Sequence, residues 1–504
     1  MKRRKKLVLN TGTAILNQVM TLIFGLIIPK LIISHYGSSA NGLVSSITQF
    51  LAFFSLLEMG VGGVIRAALY KPLAENDEKR ISEVLISGRR FFSKIGMLMV
   101  VYTIVLMIVF PSFIDHQIGY LSTAILVAAI SVSYISQYFF GIVNQLLLTA
   151  DQKAYVQMAI SCITIALNTV VSAVLIQFNV PIHYMKLGSA IVLLLRPVLL
   201  KVYVSRHYNI NYKLKLTEEP LKQKWNALTQ NVAYYIAKHA DTAILTLFSS
   251  LENVSIYYVY TLVTHSLQQF VELLTTGMGA LLGDMYARRE NKLSQAFASF
   301  EFVIHFIVTW VYTVAGVTIL PFVRVYTKGI TDANYIVPLF SGLIVFASAT
   351  YALRLPYNTM VQSAGHFKQT QLSAIIEAIL NVVVSIALVW NYGLVGVAIG
   401  TVIAMGYRTA YLAWYLSKNI LYRSLHHFFK HLFVDTVIVV CTVASTFRIG
   451  IGRITYTSWI VMALKVTLIA FGICCIVNYI FYKKEFASGI KRFIRKRNHK
   501  YTAG

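Results

Sequence analysis

Apolar stretches of roughly 20 to 30 residues, separated by short polar turns, make up almost the whole chain, and about 20 such residues are enough to cross a bilayer as a helix. "IGMLMVVYTIVLMIVF" and "VTLIAFGICCIVNYIF" are two of them. Inside hydrocarbon the backbone must pair its own N–H and C=O groups, so segments of this kind fold as helices. Charged residues make up 13% of the 504 residues, against about 25% in a soluble domain. No polar stretch is long enough to build a core of its own. The chain reads as an all-α polytopic membrane protein without a soluble domain.

About fourteen spans are expected, near 8–33, 42–69, 92–113, 118–148, 155–178, 182–204, 226–249, 254–283, 297–320, 336–364, 370–391, 394–417, 431–449 and 456–481. The formal charge is +26, from 45 Lys and Arg against 19 Asp and Glu. Nucleic-acid binding is disfavoured by where that charge lies. Nearly all of the basic residues outside spans fall on alternate connections, on the side of the N-terminus, which is the positive-inside pattern. Both termini are therefore expected in the cytoplasm, and the tail "GIKRFIRKRNHK" is expected to touch anionic headgroups. "MKRRKK" before an apolar run imitates a signal peptide, but the run is too long, contains Asn10, Asn17 and Gln18, and lacks a small-residue cleavage pattern. It reads as a retained first span. Cys162, Cys441, Cys474 and Cys475 all sit in apolar spans without metal-ligand spacing and read as small buried hydrophobes.

The string "ALNTVVSAVL" at 166–175 returns as "ILNVVVSIAL" at 379–388, about 213 residues later. "NQLLLTADQKAYVQ" and "NTMVQSAGHFKQTQ" align upstream, with Asn144 on Asn358 and Ala150 on Ala364. "YKPLAENDEKRISEV" after the second span matches "YARRENKLSQAF" after the eighth. Six spans separate each pair of landmarks, so the repeat is parallel and its axis lies along the membrane normal, a known transporter plan with the site where the halves meet. The organisation expected is a six-span lobe at 1–204, a cytoplasmic linker at 205–225, a second six-span lobe at 226–417, two further helices at 418–482 and a basic tail at 483–504.

Ionisable groups at membrane depth are costly and point to function. In the seventh span Gln230, Asn231, Tyr234, Tyr235, Lys238 and Asp241 share a helical face, with Lys238 and Asp241 three residues apart and able to pair. In the eighth, Tyr257, Thr261, Thr264, His265, Gln268 and Glu272 form another. The second carries a looser stripe with Glu58 and Arg66, and the first carries Asn10, Thr13 and Asn17. The bland reading is that such groups are buried pairs that hold helices together. It is favoured for Arg196, Arg354 and Arg408, while Lys30 and Lys465 read as snorkelling lysines. The first and seventh spans are repeat equivalents, as are the second and eighth, so their polar faces are candidates to line one cavity.

"LLEMGVGGVIRAALYKPLAE" ending the second span, "HADTAILTLFSS" in the seventh and "NVSIYYVYTL" opening the eighth resemble the multidrug/oligosaccharidyl-lipid/polysaccharide exporter superfamily, and within it the polysaccharide transporter family of Wzx-type flippases. The resemblance covers about residues 1–420. It implies a V-shaped, two-lobed fold around a central cavity, and a non-enzymatic flippase for oligosaccharide on undecaprenyl diphosphate in a bacterial cytoplasmic membrane. It also implies a monomer that works alongside polysaccharide-assembly enzymes. No cofactor is expected; the coupling ion, sodium or proton, is left open. In this reading Arg66 and Lys238 meet the diphosphate. Gln230, Asn231, Tyr234, Thr264 and Gln268 meet the sugars, with Asn17, Glu58, Asp241, His265 and Glu272 completing the polar faces. A cation-coupled multidrug-type antiporter remains an alternative on the strength of Asp241 and Glu272. A lipid II flippase is another, against which stands the presence of only Lys30 and Arg66 as cations inside the first two spans. A membrane polymerase or glycosyltransferase is more remote, because the outer connections offer little beyond Asp115, His116, Glu252 and Asp332.

Overall fold

The computed structural model describes residues 3–113, 119–214 and 232–483, with the side chains of 3–5, 7, 56–60, 113, 232–238 and 276 outside what is described. Every regular element among the described residues is helical. In order they are α1 (Arg3–Tyr36), α2 (Ser38–Ala52), α3 (Ser55–Glu75), α4 (Glu78–Phe113), α5 (Tyr120–Ser136), α6 (Ile142–Ala150), α7 (Ala154–Gln177) and α8 (Ile182–His207). Then come α9 (Val232–Phe248), α10 (Leu251–Ala287), α11 (Leu293–Tyr326), α12 (Pro338–Ser363), α13 (Phe367–Asn419), α14 (His426–Thr446) and α15 (Tyr456–Phe481).

These helices account for the expected crossings. The second expected span is broken into α2 and α3 at Phe53 and Phe54, whose N–H groups reach back only three residues. A π-helical turn at Gln137–Gly141 joins α5 to α6 in the fourth. Two crossings share α13, which turns over at Gly393 (φ 51°, ψ −125°). Among the described residues ten helices are long and apolar enough to cross a membrane, α5–α6 counting as one. Outside that set lie α2 and α9, with 15 and 17 residues, and α3 and α10, which carry the polar stripes of the second and eighth spans. Part of the expected linker, 215–225, and the basic tail from 484 lie outside the described residues.

The chain divides into two compact units, Met1–Tyr258 with Ile330–Ala333, and Val259–Gly329 with Asn334–Gly504. In the first, α7 packs on α1 and α8, α5 on α4 and α8, and α3 on α4 and α6. Leu43, Leu51, Ile65, Leu85, Phe92 and Leu147 form its dry centre. The polar stripe of α1 docks that helix onto α7. Asn10 Nδ2 donates to Gln152 O (2.9 Å), Asn10 Oδ1 accepts from Tyr155 N (2.8 Å), and Lys6 pairs with Asp151 (3.2 Å). In the second unit α11 packs on α12, α14 and α15, and α12 on α13. The indole N–H groups of Trp310 and Trp459 donate to Thr467 O (3.1 Å) and Thr318 O (3.0 Å), fastening α15 to α11 at two heights.

The repeat is visible in the backbone. Asn76 (φ 55°) and Arg289 (φ 52°), 213 residues apart, are both left-handed residues just past a helix end. Behind them Asp77 N donates to Pro72 O and Glu290 N to Met285 O, the same six-to-one bond of a Schellman cap. Gln152 (φ 56°) and Gly365 (φ 76°) repeat this at the same interval, with Lys153 N to Leu148 O and His366 N to Val361 O. That turn aligns Gln152 with Gly365, one residue away from the register in which Ala150 falls on Ala364. The left-handed residue anchors the turn, whereas an apolar string can slide by one position at little cost.

The recurring "NTVVS/NVVVS" string is a helix-packing seam. In α7 Asn168 Oδ1 accepts from Ser189 of α8 (2.5 Å), and a Cβ on Gly188 would come within 2.6 Å of Leu175 Cδ1. In α13 Ser385 Oγ lies 3.3 Å from Val397 O, and a Cβ on Gly396 would lie 2.5 Å from Leu388 O. At Gly400 a Cβ would overlap Ser385, backbone included. Small residues let the two backbones approach, which is how membrane helices gain contact without a hydrophobic driving force. Gly400→Val is therefore expected to destabilise the second unit by about 1–3 kcal/mol, the usual cost of overpacking. Thermal unfolding in detergent reads this out, and an unchanged melting temperature would refute the close seam.

Candidate functional site

The residues proposed from sequence fall into three groups. Gln230 and Asn231 lie outside the described residues, and the side chains of Glu58, Tyr234 and Lys238 lie outside as well, although their backbones belong to α3 and α9. Asn17 faces α7, where its Oδ1 sits 3.7 Å from the Cys162 thiol. Arg66 is half-buried on α3, and His265 and Gln268 are half-buried on α10. Asp241, Thr264 and Glu272 have defined partners.

Asp241 is buried on α9, and its Oδ2 accepts from the Tyr257 hydroxyl of α10 at 2.9 Å. The side chain of Lys238, the partner offered by sequence spacing, lies outside the described residues; the Tyr257 contact comes from the next helix. The short turn between α9 and α10 makes this possible, because antiparallel neighbours bring residues 16 apart face to face.

Below that pair, α2 meets α9 and the start of α10 through polar contacts that sequence reasoning did not single out. Gly37 (φ 89°) opens α2. The Ser38 N–H and hydroxyl both donate to Asp332, at 2.6 and 2.8 Å, placing a carboxylate on the positive end of the helix. Ser39 donates to Glu252, Asn41 Nδ2 to Ser255 Oγ (2.8 Å), Ser46 shares a hydrogen with Thr246 (2.7 Å), and Gln49 meets His239 (2.6 Å). Any Cβ on Gly42 would overlap the carbonyl of Leu251. Ser39 and Glu252 are 213 residues apart, and Asn41 and Ser255 are 214 apart. Equivalent positions of the two copies thus touch each other, which only residues beside the repeat's own axis can do.

In the second unit, the Thr264 carbonyl accepts from Ser348 of α12 (3.4 Å), and Tyr260 donates to Tyr335 O (2.8 Å). Glu272 accepts from the Tyr351 hydroxyl of α12 at 2.7 Å. The Tyr351 ring lies under the Arg354 guanidinium (4.9 Å), Arg354 pairs with Glu377 of α13, and Arg408 approaches the same carboxylate at 3.7 Å. All three members of that triad are buried. The structural reading of Arg354 and Arg408 thus gains its reason. Glu377 was missed because a single glutamate in a long apolar helix gives no spacing signal, and its partners are 23 and 31 residues away.

Glu252 precedes the membrane-crossing part of α10. Burial pushes its carboxyl up, but hydrogen bonds from Ser39, its own backbone N–H and Ser250 outweigh this and hold it below the usual value. A depressed carboxyl contributes its stability in full above the ordinary carboxylate range, and loses it as pH falls through the folded-state value. Melting temperature is therefore expected to fall on acidification below about pH 4. Glu252→Gln should shed part of that acid sensitivity. A pH profile identical to wild type would remove Glu252 from the junction's energetics.

No family model matches the chain, and neither does any curated protein sequence. Solved structures do. The lipid II flippase MurJ in an inward closed conformation matches with a TM-score of 0.73 at 14% identity, over 94% of this chain and 99% of that one. An inward-facing multidrug resistance MATE family transporter of the MOP superfamily matches with a TM-score of 0.57 at 15% identity, over 79% and 95%. A MOP superfamily transporter from Pyrococcus furiosus, whose binding pocket is described as of reversed polarity, matches with a TM-score of 0.57 at 15% identity, over 84% and 98%. The chain is a multi-pass membrane protein with the fold shared by MurJ and the MATE transporters.

Proposed function

We propose that the protein is a flippase that carries an undecaprenyl-diphosphate-linked oligosaccharide across a bacterial cytoplasmic membrane by alternating access, as part of cell-surface polysaccharide assembly. The observation that carries this reading is coverage. The likeness to the lipid II flippase extends over 94% of the chain, whereas the likenesses to MATE transporters extend over 79–83%. A diphosphate and its sugars cannot enter hydrocarbon because their desolvation is prohibitive, so the protein must offer polar helix faces while the prenyl tail stays in lipid. The polar stripes read in the second, seventh and eighth spans are assigned that role. Arg66 and Lys238 are assigned to the diphosphate, with Asp241 and Tyr257 keeping α9 and α10 in register. Gln230, Asn231, Tyr234, His265 and Gln268 are assigned to the sugars. Glu272 is assigned to the coupling ion, sodium or proton.

The oligosaccharide is preferred to lipid II because the first two spans carry Lys30 and Arg66 as their only cations. The discriminating experiment reconstitutes the protein in liposomes with a prenyl-diphosphate oligosaccharide, with lipid II, or with a lipophilic cation. Movement of the oligosaccharide lipid to the far leaflet, read by an added glycosidase, is expected. Movement of lipid II alone, or cation efflux alone, would replace the proposal with that reading. Losing one charge-assisted hydrogen bond costs roughly 1.5–3 kcal/mol, about ten- to hundredfold in affinity. Lys238→Ala should therefore cut flipping by that factor while the protein still folds, and Lys238→Arg should keep part of the activity. Wild-type flipping by Lys238→Ala would remove Lys238 from the substrate path.

A further inference from the structure

A second buried charge cluster lies in the second unit, on residues that the proposed transport function does not use. On α11, Glu301, His305 and Thr309 follow one another at intervals of four and share a face. Arg423, from the turn ahead of α14, donates to both oxygens of Glu301 at 2.6 and 2.7 Å. Tyr357 of α12 adds a third bond to that carboxylate at 2.7 Å. One turn further along, Asp435 of α14 accepts from Thr309 at 2.6 Å and lies 2.6 Å from His305 Nδ1. The His431 ring stacks on His305 at 4.5 Å, its Nδ1 2.9 Å from the Tyr482 hydroxyl and its Nε2 3.8 Å from Glu301. Glu301 and His305 are 0% and 2% exposed, so water does little to screen these charges.

Hydrogen counting assigns the protons. Tyr357 has one hydrogen and gives it to Glu301, so its oxygen faces His305 Nε2 (3.4 Å) as an acceptor. Asp435 already accepts from Thr309, and as a carboxylate it needs a donor at Nδ1. Both nitrogens of His305 therefore act as donors, which is the imidazolium. Charge counting agrees. Two carboxylates and one guanidinium leave one negative charge uncompensated, and a buried charge is tolerated only when paired. One added proton makes the cluster neutral. A second on His431 would set two imidazoliums face to face; neutral His431 can instead accept from Tyr482 and turn its Nε2 hydrogen toward Glu301.

Among the described residues, the remaining groups around His305 do not supply that charge. Lys430 turns away to Phe481 O (3.1 Å) and the Tyr482 ring, and exposed His427 bonds Ser424 O (3.2 Å). The Cys474 thiol on α15 points to Phe306 O (3.7 Å). A metal ion is a poor alternative occupant, because Arg423 takes both oxygens of Glu301 and the two imidazoles present faces rather than converging edges.

We propose that this cluster is a binding site for one proton, carried by His305, and that loss of the proton to a solvent base loosens the α14–α15 pair from α11. The inference stands on the second unit alone and does not depend on what the protein transports. The full chain in nanodiscs, labelled with 15N-histidine at pH 8, should show one residue with both ring nitrogens protonated, absent from the spectrum of His305→Gln. Neutral histidines throughout, or an imidazolium that survives His305→Gln, would overturn the proposal. Melting temperature supplies an independent reading. His305→Gln should lower it, and His305→Gln with Asp435→Asn, which restores neutrality, should recover most of the loss. Wild type should melt lower at alkaline pH, and the double variant should not follow. A double variant as unstable as the two single losses combined would mean that His305 only packs, and would also overturn the proposal.

Discussion

Three carboxylates, Glu301, Glu377 and Asp435, are held among the helices of the second unit by Arg354, Arg408, Arg423 and His305. Each group alone would be expensive in a low-dielectric interior, and each becomes tolerable only where its partner arrives from another helix. This makes the pairs specific. Arg423 reaches Glu301 only if α14 starts where it does, and Glu377 meets Arg354 and Arg408 only if α13 doubles back at Gly393. Breaking one pair strands a charge, so these contacts select one packing out of the many that apolar helices could adopt.

At the α2 junction the first unit meets its carboxylates with neutral donors and a helix end. Hydroxyls and amides on α2 face Asp332, Glu252, Ser255 and Thr246, and Gly42 lets the backbones close. These bonds are individually modest, typically about 1 kcal/mol each. A junction built from them can open and re-form, whereas the bidentate Arg423–Glu301 pair would cost far more to separate. The hydroxyl junction is thus the weaker of the two, and the His305 cluster sets how firmly the last two helices are held.

Much of the architecture was legible in the residues. Apolar segment length gave the crossings, and the polar stripes read in the second and eighth spans fall on α3 and α10. The recurrence of "NTVVS" gave the doubled organisation, and the turns at Asn76 and Arg289 bear out the interval. The site was less legible. Asp241 and Glu272 were found by depth and helical face, but their partners, Tyr257 and Tyr351, were not, because each sits on a different helix. Asn17 looked like part of an open polar face and instead faces Cys162 on α7.

The sequence by itself determined that this chain spans a membrane many times, that its two halves are copies, and that the seventh and eighth spans carry polar faces. Those properties follow from residue type and periodicity along one segment, where the bilayer is the only solvent to consider. Tertiary structure alone decided which charges neutralise which. Glu301 with Arg423, Glu377 with Arg408 and His305 with Asp435 are separated by 31 to 130 residues. A helix reports its own faces in its sequence, but the electrostatic cost of a buried charge is settled by whatever the neighbouring helix brings within a few ångströms.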